Sequence, residues 1–213
     1  MRKRIAYLIM AGMLTFTGCA GIGTSGDSQA QAEQDDADGE FMPSSFVEVA
    51  TGKDTFESYD EIISYLKKGQ GYAKIKLKGF DGEILAITES VYADNNENHS
   101  IDVSVYGKRN GAIEAYTDVY TTDKEYPLAT DGNVIYACSK ESYEALFASP
   151  DGDGLMVKDN IIKSEDGTYS GFTRETNSFE EADTPDFTGG ENEFKEYLKK
   201  YEAATPINFT VVE

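Results

Sequence analysis

Residues 101–120 read IDVSVYGKRNGAIEAYTDVY, and the fold class follows from how that stretch is divided. Ile101, Val103 and Val105 alternate with Asp102, Ser104 and Tyr106, the period of two that marks a half-buried strand. Asn110-Gly111 interrupts the pattern, and Ile113, Ala115 and Val119 resume it. An Asn-Gly pair between alternating runs is the strongest short hairpin signal. A two-residue loop would set Val105 opposite Tyr116 and Val103 opposite Asp118, mixing the faces. A three-residue loop, Arg109-Asn110-Gly111, sets Val105 opposite Ala115 and Ile101 opposite Val119, and the sequence favours it.

The same choice orders two neighbouring hairpins. At Phe80-Asp81-Gly82 it pairs Leu77 with Leu85 and Ile75 with Ile87; at Pro150-Asp151-Gly152 it pairs Phe147 with Leu155 and Ala145 with Val157. All three turns predict a glycine at positive φ, at Gly82, Gly111 and Gly152. Asp131-Gly132 marks a further turn, and Asp166-Gly167 does not sort its faces. Ala73, Ile75 and Leu77 alternate with Lys74, Lys76 and Lys78, so another strand runs there, its lysines pairing across strands.

Helices are expected at both ends of this β region. Ser58 and Glu61 form a capping box before the stripe Tyr59, Ile62, Ile63 and Leu66, with Gly69 as the stop. From about Glu191 to Tyr201, Phe194, Tyr197, Leu198 and Tyr201 share one face, and Pro206–Val212 reads as a last strand. The expected fold is α+β and mostly β. It is an antiparallel meander of about eight strands, closed as an up-and-down barrel or folded as a sandwich. The order helix, meander, helix resembles that of lipocalin-like barrels, although no lipocalin motif is present.

The chain opens with Arg2, Lys3 and Arg4, followed by the uncharged run Ile5–Gly18. That run is shorter than the ~20 apolar residues a membrane-spanning helix needs. A basic start, a short apolar core and small residues describe a secretory signal peptide over residues 1–18. Phe16-Thr17-Gly18-Cys19 resembles the lipobox of bacterial lipoproteins, with Phe16 in place of the usual Leu. The resemblance implies a diacylglycerol on the Cys19 thiol and cleavage just before it. Two acyl chains anchor a protein stably where one does not. The implied location is the cell membrane, facing outside the cytoplasm. Residues 19–45 are small, polar and acidic and read as a disordered tether, leaving 46–213 as a single domain. Through runs such as Gly71-Tyr-Ala-Lys-Ile-Lys-Leu and Gly171-Phe-Thr-Arg, that domain is similar to uncharacterised lipoproteins of Gram-positive anaerobes. That likeness implies no activity.

The net charge is −20, from 19 basic and 39 acidic residues. So negative a surface repels nucleic acid and steers cations inward, and it favours solubility. With Cys19 acylated, Cys138 has no partner for an internal disulfide, and its setting in Asn133-Val-Ile-Tyr-Ala-Cys138 predicts a buried thiol.

Asp151, Asp153 and Asp159 are the candidate metal ligands, for calcium. An EF-hand pattern fails because Leu155 occupies the third ligand position and no Glu stands at the twelfth. Ser149-Pro150-Asp151-Gly152 resembles the strand turn of TolB-type propellers, but propellers repeat it about every 40 residues, and here the Asp-Gly spacings are uneven. His99 is the single histidine. It lies in the polar loop Asp94–His99, so multi-histidine zinc sites are excluded and any Ser-His or Cys-His pair must use it. No phosphate-cradling glycine loop is present.

The chain holds 14 Tyr, 11 Phe and no Trp. Tyr106, Tyr116 and Tyr120 fall opposite the apolar sets of their strands. They are the candidate ligand-binding residues, as an outward platform for a sugar or peptide, or else they form a second packed layer beneath a helix. The favoured function is a non-enzymatic, lipid-anchored binding module for a small molecule, glycan or protein. The alternative is an extracytoplasmic hydrolase that uses two carboxylates about 5–9 Å apart on cell-wall or dietary glycan.

Overall fold

The computed structural model describes residues 53–174 and 186–213; the expected signal peptide, Cys19 and the tether lie outside the described residues. In chain order the elements are β1 (Thr55–Phe56), α1 (Tyr59–Ser64), β2 (Gly71–Lys76), β3 (Glu83–Thr88), β4 (Tyr92–Asp94), β5 (Glu97–His99), β6 (Asp102–Arg109) and β7 (Ala112–Tyr120). There follow β8 (Ala129–Thr130), β9 (Ile135–Cys138), β10 (Ser142–Ala148), β11 (Leu155–Lys163), β12 (Tyr169–Thr173), β13 (Asp186–Gly189), α2 (Glu191–Glu202), β14 (Thr205–Pro206) and β15 (Thr210–Val211). A six-stranded sheet runs β1-β7-β6-β3-β2-β15, and a seven-stranded sheet runs β13-β12-β11-β10-β9-β8-β14. Every pairing in both is antiparallel.

The two sheets face each other as a sandwich. Ile75, Leu77, Ile84, Val103, Val105 and Val119 of the first meet Leu128, Ile135, Ala137 and Leu146 of the second in one buried cluster. Full burial of a side chain such as Ile84 or Leu128 is worth roughly 1.5–3 kcal/mol. Both outer faces are covered too. Helix α1 and β1 bring Ile62 and Phe56 onto Leu85, Ile87, Tyr106 and Ile113. Helix α2 sets Phe194 among Tyr136, Cys138, Tyr143, Ile161 and Tyr169, with Phe194 stacked on Tyr169 at 4.1 Å.

The helix signals act locally as the sequence expects, with two differences. Ser58 Oγ accepts from Glu61 N–H (3.1 Å), while the Glu61 carboxylate takes the N–H of Glu57 (2.8 Å). The helix ends at Ser64 rather than at Gly69, whose N–H donates to the Val212 carbonyl instead. In α2, Phe194, Tyr197, Leu198 and Tyr201 all join the cluster on the second sheet. The expected single last strand is two short ones. β14 pairs with β8 in one sheet and β15 with β2 in the other, with Ile207 and Phe209 buried between.

Gly82, Gly111 and Gly152 have φ of 101°, 91° and 71°, as the turns require, but the three-residue registers do not form. Asn110 and Gly111 both have positive φ and make a two-residue turn that pairs Arg109 with Ala112. The mixed faces are then repaired by a bulge. Tyr106 pairs with Ala115 but Val105 pairs with Thr117, so Tyr116 is the extra residue and Val103 meets Val119. The other two hairpins have longer loops. Lys76 pairs with Glu83 and Ile75 with Ile84, which sends Leu85 and Ile87 to the α1 side. Ala148 pairs with Leu155, and a second bulge places Ala145 opposite Asp159. The three-residue loop appears instead at Glu165-Asp166-Gly167, where Ser164 N–H donates to Thr168 O (2.7 Å).

Candidate functional site

The sequence-derived candidates are dispersed over the molecule. Tyr106 is buried beneath α1 with its ring edge-on to Phe56. Tyr116 stands at one end of the sandwich, stacked on Phe80 (5.5 Å) with the Arg109 guanidinium over its ring at 5.3 Å. Arg109 donates from Nε and Nη2 to the Asp153 carbonyl (2.9 and 2.6 Å), so this aromatic stack latches one sheet to the other. Burial pushes the Tyr116 phenol up to about 12. Tyr120, at the far end of β7, is half exposed. The three rings are therefore not gathered into one platform.

Asp151 and Asp153 line a cleft of about 330 Å³ near Tyr116, with Phe80, Asp81 and Lys108. The Asp151 carboxylate is spent within its own turn, on the Ser149 hydroxyl and the Asp153 N–H, and these hydrogen bonds hold its pKa low. Asp159 is elsewhere, on the α2 side. It is 2% exposed and paired with Lys158 at 3.0 Å. The proposed calcium ligands are thus not brought together. Among the described residues no three His, Cys, Asp or Glu side chains converge on one point.

The remaining nucleophile and base candidates are structural. His99 is 4% exposed, not in a solvated loop, and its Nδ1 donates to the Ile207 carbonyl at 3.2 Å. Cys138 is buried among the side chains beneath α2, and desolvation pushes its thiol up to about 12. Lys74 pairs with Asp60 of α1 (3.2 Å) rather than across strands.

A different cleft, of about 230 Å³, lies between the sheets beside the end of β7. Directly opposed residues of an antiparallel pair share a face, so the pairs Glu144 to Ala137 and Glu144 to Asn160 set those three side chains in one row. Ala137 belongs to the inter-sheet core, which fixes the row as inward-facing. Ser142 and Ile162 form the next row toward the opening, and Tyr120 closes the cleft from the first sheet. Tyr120 and Ile162 are 50% and 54% exposed, two of the three large hydrophobic residues that stand out to solvent in the described structure.

Glu144 is the chemically distinctive group. Asn160 Nδ2 donates to its Oε2 at 2.9 Å, and no Lys, Arg or His among the described residues pairs with it. Burial raises its pKa, against the opposing pull of the Asn160 hydrogen bond. A desolvated acid in a cleft rimmed by exposed apolar side chains has the properties expected of a binding site. Among the described residues Glu144 is the one carboxyl lining this cleft, whereas glycoside hydrolysis by two carboxylates requires a pair. Of the predicted residues only Tyr120 lies here. The sequence signal for Glu144 was a lone acid inside the apolar run Tyr143–Ala148. Compared with protein-family models, curated proteins and solved structures, the chain matches none.

Proposed function

We propose that this chain is a lipid-anchored binding module on the outer face of the cell membrane, attached through a diacylglycerol on Cys19, with its ligand site between Tyr120 and Glu144. The observation that carries the reading is Glu144 itself. A half-buried carboxyl, desolvated enough to raise its pKa and with no cation partner among the described residues, is a group that a ligand charge would complete. The exposed Tyr120 ring and Ile162 supply apolar area next to it. The membrane part rests on the basic start, the apolar run and Thr17-Gly18-Cys19.

The site is tested by titrating the full chain with amines, oligosaccharides and peptides, by calorimetry and by NMR. Tyr120→Ala and Glu144→Gln should each weaken the ligand found by tenfold or more, with an unchanged far-ultraviolet spectrum. A ligand bound equally well by both variants would place the site elsewhere. Sustained turnover of a chromogenic glycoside, lost in Glu144→Gln, would favour the hydrolase. The anchor is tested by Cys19→Ser, which should release the protein or leave it unprocessed. Wild-type chain in the medium with no acyl mass on Cys19 would overturn that part.

A further inference from the structure

We infer that the ligand of the Tyr120–Glu144 cleft is an organic ammonium ion, its charge on Glu144 and its apolar body against Tyr120 and Ile162; this rests on the reading of that cleft as the binding site. The argument is an inventory of what the lining offers. Three other carboxylates beside clefts have donors already. Asp131 takes the N–H groups of Asn133 and Val134 and the Tyr136 hydroxyl. Asp151 takes the Ser149 hydroxyl and the Asp153 N–H. Asp159 takes the Lys158 ammonium. Glu144 receives a single neutral amide, on Oε2.

With Asn160 Nδ2 committed to Glu144, the amide oxygen of Asn160 and Oε1 of Glu144 remain as acceptors. The Ser142 hydroxyl is engaged with that of Ser139 at 2.7 Å. Among the described residues the lining is therefore rich in acceptors and carries no cationic side chain. An anion has nothing to hold it there. A neutral alcohol can hydrogen-bond but leaves the half-buried charge uncompensated. An ammonium group brings three donors and the missing charge. The half-exposed Tyr120 ring adds a cation–π face. The net charge of −20 draws cations toward the molecule and repels anions.

The groups facing Glu144 leave its protonation as the controlling event. From β11 comes the neutral amide of Asn160, from β9 Ala137, from β7 the Tyr120 phenol and from its own strand Ser142. Cys138 lies in the α2-side cluster with its thiol protonated. Ammonium binding requires ionised Glu144, so affinity should fall as pH drops through the raised pKa of that group. Binding near that pH should release a proton.

Three probes of one shape separate the possibilities: cyclohexylammonium, cyclohexanol and cyclohexanecarboxylate, titrated into the full chain by NMR alongside a neutral oligosaccharide. The ammonium should bind at least tenfold more tightly than the alcohol and move the Tyr120 and Ile162 signals. Glu144→Gln should remove that advantage while leaving the alcohol within twofold, and the released proton should appear as a buffer-dependent enthalpy. If the alcohol or the oligosaccharide binds in the cleft as tightly as the ammonium, the ammonium inference fails and the cleft remains the site. If no probe moves the Tyr120 and Ile162 signals, the cleft reading fails with it.

Discussion

Gly107→Ala should destabilise the protein by about 1–3 kcal/mol, although Gly107 has no positive φ and alanine suits its extended backbone. A Cβ there would stand 2.1 Å from Cε2 and 2.2 Å from Cζ of Tyr116, inside any permitted contact. The ring would have to leave, and three interactions would leave with it. The Tyr116 hydroxyl bond to the Lys108 carbonyl (2.8 Å) is worth ~1 kcal/mol. Stacking on Phe80 is worth roughly 0.5–1.5 kcal/mol. The Arg109 cation–π contact is worth about 0.5–1 kcal/mol. The lower unfolded-state entropy of alanine returns ~0.4–1 kcal/mol, which gives the net figure. The assay is urea unfolding followed by tyrosine fluorescence and circular dichroism, as the chain has no Trp. With a urea slope of roughly 1–3 kcal/mol/M, the midpoint should fall by about 1 M. The decisive comparison is the double-mutant cycle with Tyr116→Ala. Once the ring is gone, Gly107→Ala should cost under ~0.5 kcal/mol, a coupling of about 2 kcal/mol. Equal costs in both backgrounds would show that the Tyr116 ring is not what Gly107 accommodates.

Three further outcomes are expected. Gly111→Val should cost roughly 1–2 kcal/mol in the same melt, purely from its φ of 91°, since nothing lies within 4 Å of the new Cβ; a neutral substitution would mean the turn is different. Cys138 should resist alkylation in native protein and react on denaturation, being fully buried with its thiol raised to about 12; labelling of the native thiol at the rate of a free one would contradict this. For Glu144 the folded pKa lies above the ordinary value, so the folded state binds the extra proton and this group's contribution to stability declines as pH rises through that window. Glu144→Gln should therefore gain on wild type from about pH 4.5 upward, and a stability gap independent of pH would exclude a desolvated Glu144.

Features that depend on neighbours along the chain were legible in the residue pattern. Period-two alternation located the strands around Ala73–Leu77 and Ile101–Val105, a four-residue apolar stripe located α2, and glycines after Asp or Asn marked the positive φ values. Which face each strand turned where depends on long-range packing. Strands β3 and β9 are buried on both faces, because a helix covers the outside of each sheet. Alternation carries no signal in such strands. Shifting a pairing by one residue exchanges the faces, so the six residues Ser149–Gly154 between β10 and β11, and the bulges at Tyr116 and Lys158, overrode a register read from turn residues alone. The cleft depends on the same long-range pairing. Glu144 meets Asn160 across a hairpin and shares its cleft with Tyr120 of the other sheet, and neighbours so distant in sequence are set by packing rather than by any local preference.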